Sequence, residues 1–377
     1  MSQINVSIIG AGLSGLVLGR CLLQRGIPCV IFERDTARSG STRHNYGITL
    51  YPWAFQPLLK YLDLNEATFR RVLAVDGVVG GTGRLGSNAL PGLDDPDAFR
   101  ANRRKLEKML SKGLDVRWEH HLTSTQTEGG SNSMFFREGQ RANSSILVGA
   151  DGPHSRVRTF TAAGSSFNIL PFAVYNGRRR VDLKTFEDRY APSMDGANVV
   201  ERRLGQTLLQ ITINDRNKNT VSISYTYSRP ARSPVDPIFT PERSTSSASQ
   251  VPDELFEEIR SLESLDGAFE EVFDAEKMRK DRILNWLMRS VSVEVSERNA
   301  AAAQGIVLVG DAAHATPILG GYGANAAIQD GVDLAEYIVR DGTSNLAKFY
   351  KDVTWRSYVR DGETQLAKMH GQTKASL

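Results

Sequence analysis

Apolar residues fall into a few recurring arrangements along the chain. Short apolar-rich runs, Ile4–Ile9, Cys29–Phe32, Ile146–Val148 and Gly305–Val309, are each cut off by a glycine or an acid. Runs of this length between turn residues predict strands buried on both faces. Leucines at helical spacing fill the gap between the first two runs, over about Leu13–Gln24, so the opening predicts strand, helix, strand. The middle of the chain alternates instead. Val221, Ile223, Tyr225 and Tyr227 occupy every second position, the period of a half-buried strand. With "FAVYNGRRRV" and "TLLQITIN", this predicts an antiparallel sheet from Phe172 to about Tyr227, and residues 120–148 predict a β-meander leading back to the turn at Asp151-Gly152. Helical periods mark 99–110, 253–273, the stretch from Ala324 and the chain beyond Arg340. Residues 232–250, rich in Pro, Ser and Thr, predict an exposed loop or substrate lid.

Composition narrows the classes. A chain of 377 residues suffices for two domains, or one large α/β domain with an insertion. A net charge of +3, with Arg178-Arg179-Arg180 as a single short basic run, argues against a nucleic-acid partner. No apolar run approaches the roughly 18 residues of a membrane span. The N-terminus enters a strand directly, so no signal peptide is expected and the setting is read as cytoplasmic. Cys21 and Cys29 both lie in the first unit, as reduced core residues or as a redox pair. No metal site is expected, and oligomeric state cannot be read.

Gly10, Gly12 and Gly15 form G-x-G-x-x-G between the first strand and helix. Gly10 permits the tight turn, Gly12 lets a pyrophosphate approach the backbone, and Gly15 lets helix and strand pack closely. The helix N-terminus offers free N–H groups to the phosphates. Glu33 ends the second strand 18 positions after Gly15, where a ribose-binding acid belongs. It favours a free 2′-hydroxyl, hence FAD or NAD. Arg34 either stacks on adenine or faces solvent. A second match, Gly81 to Gly86, is followed by Pro91, Gly92 and Pro96, which no helix continues through; it reads as a hairpin or loop.

Two later turns repeat the strand–turn–helix pattern: "ILVGADGPHSRVR" with Asp151-Gly152, and "LVGDAAHATPILGGYGAN" with Gly310-Asp311. Together with the first turn and Glu33, in this order and spacing, they resemble the class A FAD-dependent monooxygenases, the para-hydroxybenzoate hydroxylase-like family. The turn sequences are most similar to fungal secondary-metabolism members. The resemblance spans nearly the whole chain and is weak between about 166 and 285.

It implies a Rossmann-like α/β FAD-binding domain of the glutathione-reductase type, with an antiparallel substrate sheet. The expected boundaries are 1–72, 98–165 and 286–341 for the FAD domain, 73–97 and 166–285 for the substrate domain, and 342–377 for a C-terminal helical segment. Asp151 would lie near the pyrophosphate and the path of the nicotinamide donor. Asp311, after Gly310, would hold the ribityl chain, a suitable task for an acceptor-only carboxylate. Gly321 and Gly323 would allow close approach to the flavin, and the N–H groups near Ala324 and Asn325 would stabilise charge at its N1–C2=O edge. Pro317 to Asn325 is one residue longer than the family spacing, and Tyr322 replaces a small polar residue. Arg103, in R-x-x-L-x-x-x-L, would reach the FAD phosphates, with Arg100 as the alternative. His314 would touch the cofactor or cap the local backbone.

The family's Tyr-Arg-Gly strand corresponds to Tyr175-Asn176-Gly177, so Arg178 or Arg180 would act as proton donor or anion clamp, unless both belong to an exposed basic strand end. Tyr225, Tyr227 and Trp53 would line an aromatic pocket or simply pack. The implied activity uses NAD(P)H and O2 to form C4a-hydroperoxyflavin and to hydroxylate or epoxidise an aromatic or alkene-containing small molecule. The alternatives are another FAD enzyme on this scaffold, such as a redox-neutral cyclase, saturase or halogenase, or a non-catalytic dinucleotide-binding protein.

Overall fold

The computed structural model describes residues 4–39, 45–86, 95–162, 164–233, 235–352 and 356–372. The apolar runs assemble into one parallel sheet. Its order is Ile306–Leu308, Ile146–Gly149, Val6–Ile9, Cys29–Phe32 and Val116–Arg117. Val6, Ile8, Ile31, Val148 and Val307 are fully buried, as strands covered on both faces require. The helices Leu13–Gln24 and Tyr322–Asp341 pack against each other, and Gly331 lets them close: a Cβ there would stand 2.9 Å from the Ser14 carbonyl oxygen. Sequence-distant turns are thereby drawn to the same ends of neighbouring strands.

The meander comprises Leu122–Glu128, Ser131–Phe136 and Arg141–Ser144. Residues 99–110 depart from the helical expectation. Phe99–Asn102 is a strand paired antiparallel with Gly47–Leu50, and the helix runs from Arg103 to Ser111. Phe99 and Ala101 are both buried, a period of two that overrides the helical period. Asn102 ends the strand and caps the helix, its side chain accepting from Lys105 N at 3.1 Å.

The second large sheet is antiparallel, in the order Val199–Leu204, Thr207–Arg216, Thr220–Pro230, Phe172–Asp182, Arg282–Asn285. One face is core: Leu209, Ile211, Ile213, Val221, Ile223, Tyr225, Tyr227 and Tyr175 pack there with Phe269 and Phe273. The other face carries polar residues that satisfy one another. Asn214 Nδ2 donates to Ser224 Oγ at 2.7 Å, Asn176 Nδ2 to Thr226 Oγ1 at 3.0 Å, and Gln210 to Glu201. Further along, this face becomes apolar and meets the C-terminal helix Arg356–Met369 in a third cluster of Phe172, Val174, Leu208, Leu319, Leu366 and Met369.

The segment 232–250 is less free than a lid. Arg229 holds Asp236 (2.5 Å), Ile238 is fully buried, and the Tyr175 hydroxyl donates to the Ile238 carbonyl at 2.9 Å. Pro234 lies outside the described residues. The helical stretch 253–273 breaks into Asp253–Arg260 and Gly267–Val272, with Ser264 and Gly267 at positive φ between and at the break. Gly81–Gly86 forms no phosphate turn: Arg84 makes an isolated bridge to Phe99, and a Cβ on Gly83 would lie 2.6 Å from the Arg100 carbonyl oxygen. Pro91 and Gly92 lie outside the described residues, as do 353–355 and 373–377 of the expected C-terminal segment.

Candidate cofactor and substrate site

The first turn is built for a backbone-bound anion. Gly10 has φ +108°, and its missing Cβ would collide with the Ala150 carbonyl oxygen at 2.4 Å. A Cβ on Gly15 would sit 2.1 Å from the Gly10 carbonyl oxygen. By contrast a Cβ on Gly12 would meet only the Ala150 oxygen, at 3.9 Å, so space is open above the helix start. Gly12 supplies no side-chain cap there, which leaves the first amides for a phosphate. Glu33 is buried and braces this turn: Oε2 accepts from Ala11 N (2.8 Å) and Oε1 from Asp35 N (3.0 Å). Arg34 is exposed.

The Asp151 turn abuts it, the Gly10 Cβ direction pointing at Asp151 Cα, 2.9 Å away. The Asp151 carboxylate is turned inward, accepting from Ser155 Oγ (2.5 Å) and from the amides of Arg156 (2.6 Å) and Val157 (3.3 Å). It orders the helix Arg156–Thr161 and is committed to protein partners. Arg158, which sequence reasoning passed over, ties this turn to the third: it donates to the Pro153 carbonyl at 2.6 Å and the Ala312 carbonyl at 2.9 Å.

Asp311 behaves differently. Among the described residues its carboxylate accepts no hydrogen bond, although burial raises its pKa while His314, Arg103 and Arg158 pull it down. An acceptor held deep without a donor fits a polyol, the ribityl chain of FAD. Gly310 is fixed by Asp330, whose Oδ2 accepts from Gly310 N and His314 Nε2, both at 2.6 Å. Burial opposes charge on His314, but the Asp330 carboxylate outweighs it and raises the imidazole's pKa. His314 therefore supports the turn through Asp330. The extra residue of the Pro317–Asn325 loop is absorbed by Gly320 (φ +111°) and Gly321 (φ +74°), two consecutive left-handed glycines. The helix then starts at Tyr322 without a side-chain cap, leaving the amides of Tyr322, Gly323 and Ala324 for an anionic flavin edge. A Cβ on Gly323 would lie 3.1 Å from the buried, unpartnered Thr316 Oγ1 and 3.8 Å from Asp311 Oδ1. The Asn325 side chain works within the protein, accepting from Tyr51 N (2.9 Å) and donating to the Thr49 and Gly321 carbonyls (2.9 and 2.8 Å).

Arg103 opens its helix, donates to Tyr46 Oη at 2.6 Å and pairs with Glu107 at 2.8 Å, within the electrostatic reach of Asp311. The polar sheet face is anchored to these elements at both ends. At one, Asn214 Oδ1 accepts from Gly47 N (3.0 Å) and its carbonyl from Asn102 Nδ2 (2.9 Å). At the other, Ser228 Oγ bonds His370 Nε2 at 2.8 Å. Asn176, Thr226 and Gln210 lie between. Arg178 and Arg180 share this face by alternation but are exposed at the strand's far end. Tyr225 is not brought to it. Its side chain lies on the core face under Gly177, and its hydroxyl donates to Asp281 at 2.8 Å. The strand period that made Tyr225 and Tyr227 look like pocket residues is the period that buries them.

The glycine turn, the open carboxylate and the uncapped helix fit the two ends and the middle of FAD. A family model described as FAD binding domain matches residues 3–46 and 101–341. The chain belongs to the class A flavoprotein monooxygenases. It is 33% identical to FAD-dependent monooxygenase aptC of Emericella nidulans, over 97% of this chain and 95% of that protein. It is 34% identical to FAD-dependent monooxygenase adaC of Aspergillus niger, over 93% and 89%. The solved structure of Klebsiella pneumoniae HpxO, complexed with FAD and uric acid, has the same fold, with TM-score 0.69 at 15% identity over 98% of this chain and 90% of that one. The monooxygenase thus binds FAD. No helix among its described residues is long and apolar enough to cross a membrane.

Sequence reasoning missed Tyr51 and gave Arg100 only as a second choice for the phosphates. Tyr51 stacks on Tyr322 with ring centroids 6.1 Å apart, and its buried hydroxyl has no partner. The signal lay in the apolar strand Gly47–Leu50 ending in an aromatic, which carries no motif.

Proposed function

We propose that this monooxygenase takes electrons from NAD(P)H and inserts one oxygen atom of O2 into an aromatic or alkene-containing small molecule. FAD, when bound, supplies the hydride acceptor and the oxygen activation. The chain's own groups supply placement. The amides after Gly12 hold the pyrophosphate, Asp311 accepts from the ribityl hydroxyls, and the amides at Tyr322–Ala324 favour negative charge on the reduced ring. The substrate lies between the Tyr51–Tyr322 aromatic pair and the polar strip Asn176, Thr226 and Gln210. The aromatic rings exclude water and the strip orients polar substituents.

The observation that carries this reading is the polar inner face of the antiparallel sheet. Sheet faces turned toward the protein interior are ordinarily apolar, and this one keeps amides and hydroxyls beside the cofactor elements. The test is substrate-stimulated NAD(P)H oxidation across a panel of aromatic and unsaturated compounds, with 18O2 labelling of the product. One labelled oxygen per NAD(P)H is the expected result. A product formed without NAD(P)H or label would overturn the reading in favour of redox-neutral catalysis.

A further inference from the structure

Among the described residues, Arg100 is a cation without an ion-pair partner. It sits on the strand Phe99–Asn102, opposite Thr49, where that strand meets the antiparallel sheet. Its guanidinium closes on Gly47: a Cβ at that glycine would stand 2.5 Å from Arg100 Nε and 2.6 Å from the Ile213 carbonyl oxygen. Gly47 therefore reserves the space that the guanidinium occupies. The side chain makes one long hydrogen bond, Nη1 to Thr49 Oγ1 at 3.3 Å, and Nε is buried without a partner. Among the described residues no carboxylate lies within ion-pair distance. Burial lowers its pKa to about 10, with Glu201, Tyr46 and Tyr51 the groups whose charge acts on it. Glu201 is engaged by Gln210 instead.

A second orphan stands in the same field. The Tyr51 hydroxyl is buried and unpartnered, burial raises its pKa, and Arg100 is the group that pulls it back. Arg103, three residues along, divides the work differently: it pairs with Glu107 and is under the influence of Asp311, whereas the carboxylate that acts on Arg100 is Glu201 of the antiparallel sheet. One arginine serves the cofactor turn and the other the substrate sheet. Leaving a buried cation and a buried hydroxyl unpaired costs free energy, which a ligand can return.

Resting on the aromatic or unsaturated substrate class proposed above, we propose that Arg100, with the Tyr51 hydroxyl, is the specificity-determining anion site for that substrate. It takes the ionised oxygen of a phenol or enol. The hydroxyl proton leaves to solvent on binding, and the oxygen's charge raises electron density at the ring carbon to be oxygenated. A planar guanidinium beside a stacked aromatic pair suits a planar substrate with an acidic hydroxyl.

The test compares the FAD-loaded wild type with Arg100→Met and Arg100→Lys. The probes are 1,3-dihydroxynaphthalene and its dimethyl ether, read by perturbation of the flavin spectrum. The dihydroxy compound should bind the wild type, and Arg100→Met should weaken it by about thirtyfold or more, with little effect on the ether. Arg100→Lys should retain part of the preference. Flavin affinity should be unchanged, and the ligand-free Met variant should melt about 2 °C or more higher, because an uncompensated charge is gone. A lower or unchanged melting temperature, equal affinity for the two probes, or no binding of the dihydroxy compound overturns the proposal. A fall in flavin affinity also overturns it, assigning Arg100 to the cofactor while the monooxygenase reading stands. That reading fails separately, when no aromatic or unsaturated compound stimulates NAD(P)H oxidation by the wild type.

Discussion

Asp311 and Gly15 carry two different predictions about cofactor capture. Among the described residues no donor reaches the Asp311 carboxylate, so on the proposed reading its contribution is realised only with ligand bound. Asp311→Ala should weaken FAD binding by about 10- to 100-fold, the range of a charge-assisted hydrogen bond, with little loss of apoprotein stability. Flavin fluorescence titration with a parallel melting curve checks both. Gly15→Ala should instead damage fold and cofactor site together. The new methyl would stand 2.1 Å from the Gly10 carbonyl oxygen, forcing helix and strand apart. A melting temperature lowered by several degrees and poor flavin retention are expected. A Gly15→Ala protein that melts normally and stays yellow would refute the packing role.

At the scale of elements, the C-terminal helix couples the Gly-rich loop to the polar sheet face. Gly362 and Gln365 approach Thr316, Pro317 and Gly320, and His370, just beyond the helix, meets Ser228. His370 Nδ1 donates to the Leu366 carbonyl at 2.8 Å, so Nε2 accepts from Ser228 and the ring is neutral. Burial depresses its pKa to about 4. The unfolded state protonates first, near pH 6.5, so stability is full above that value and falls as the pH drops toward 4. The size of the depression corresponds to about 3 kcal/mol. His370→Gln, with a non-titrating side chain, should flatten the melting-temperature profile between pH 6.5 and 4. An unchanged slope would show that His370 does not set it. Strand 99–102 carries a related lesson. Its helix-compatible spacing yielded to alternate burial of Phe99 and Ala101, a contest that only neighbouring strands resolve.

Across the whole molecule, two sheets with opposite logic meet. The parallel sheet buries both faces and brings its turns together; the antiparallel sheet buries one face and offers the other as a polar wall. Substitutions on the wall should therefore separate substrate handling from flavin content. Thr226→Val removes the hydroxyl that receives Asn176 without altering the core face. It should change KM or product regiochemistry while the protein stays fully loaded with FAD. Loss of flavin in Thr226→Val would place the wall nearer the cofactor than the geometry indicates.

The three strand–turn–helix junctions were legible from the chain alone, because each depends on local rules. Glycines relieve steric limits at fixed offsets, apolar runs end where strands end, and an acid follows a strand. The same rules set aside Gly81–Gly86. The roles of side chains were less legible. Tyr225 went to the core and Asn325 to Tyr51, each because a neighbour distant in sequence supplied the partner, while Asp151 turned to the helix that follows it. Local periodicity states that alternate residues share a face; it does not state which face meets the core. Only the docking of the sheet against strand 47–50 and the C-terminal helix decided that, and with it which polar groups were left without partners. An unpaired charge such as Arg100 becomes visible only when every nearby group has been placed.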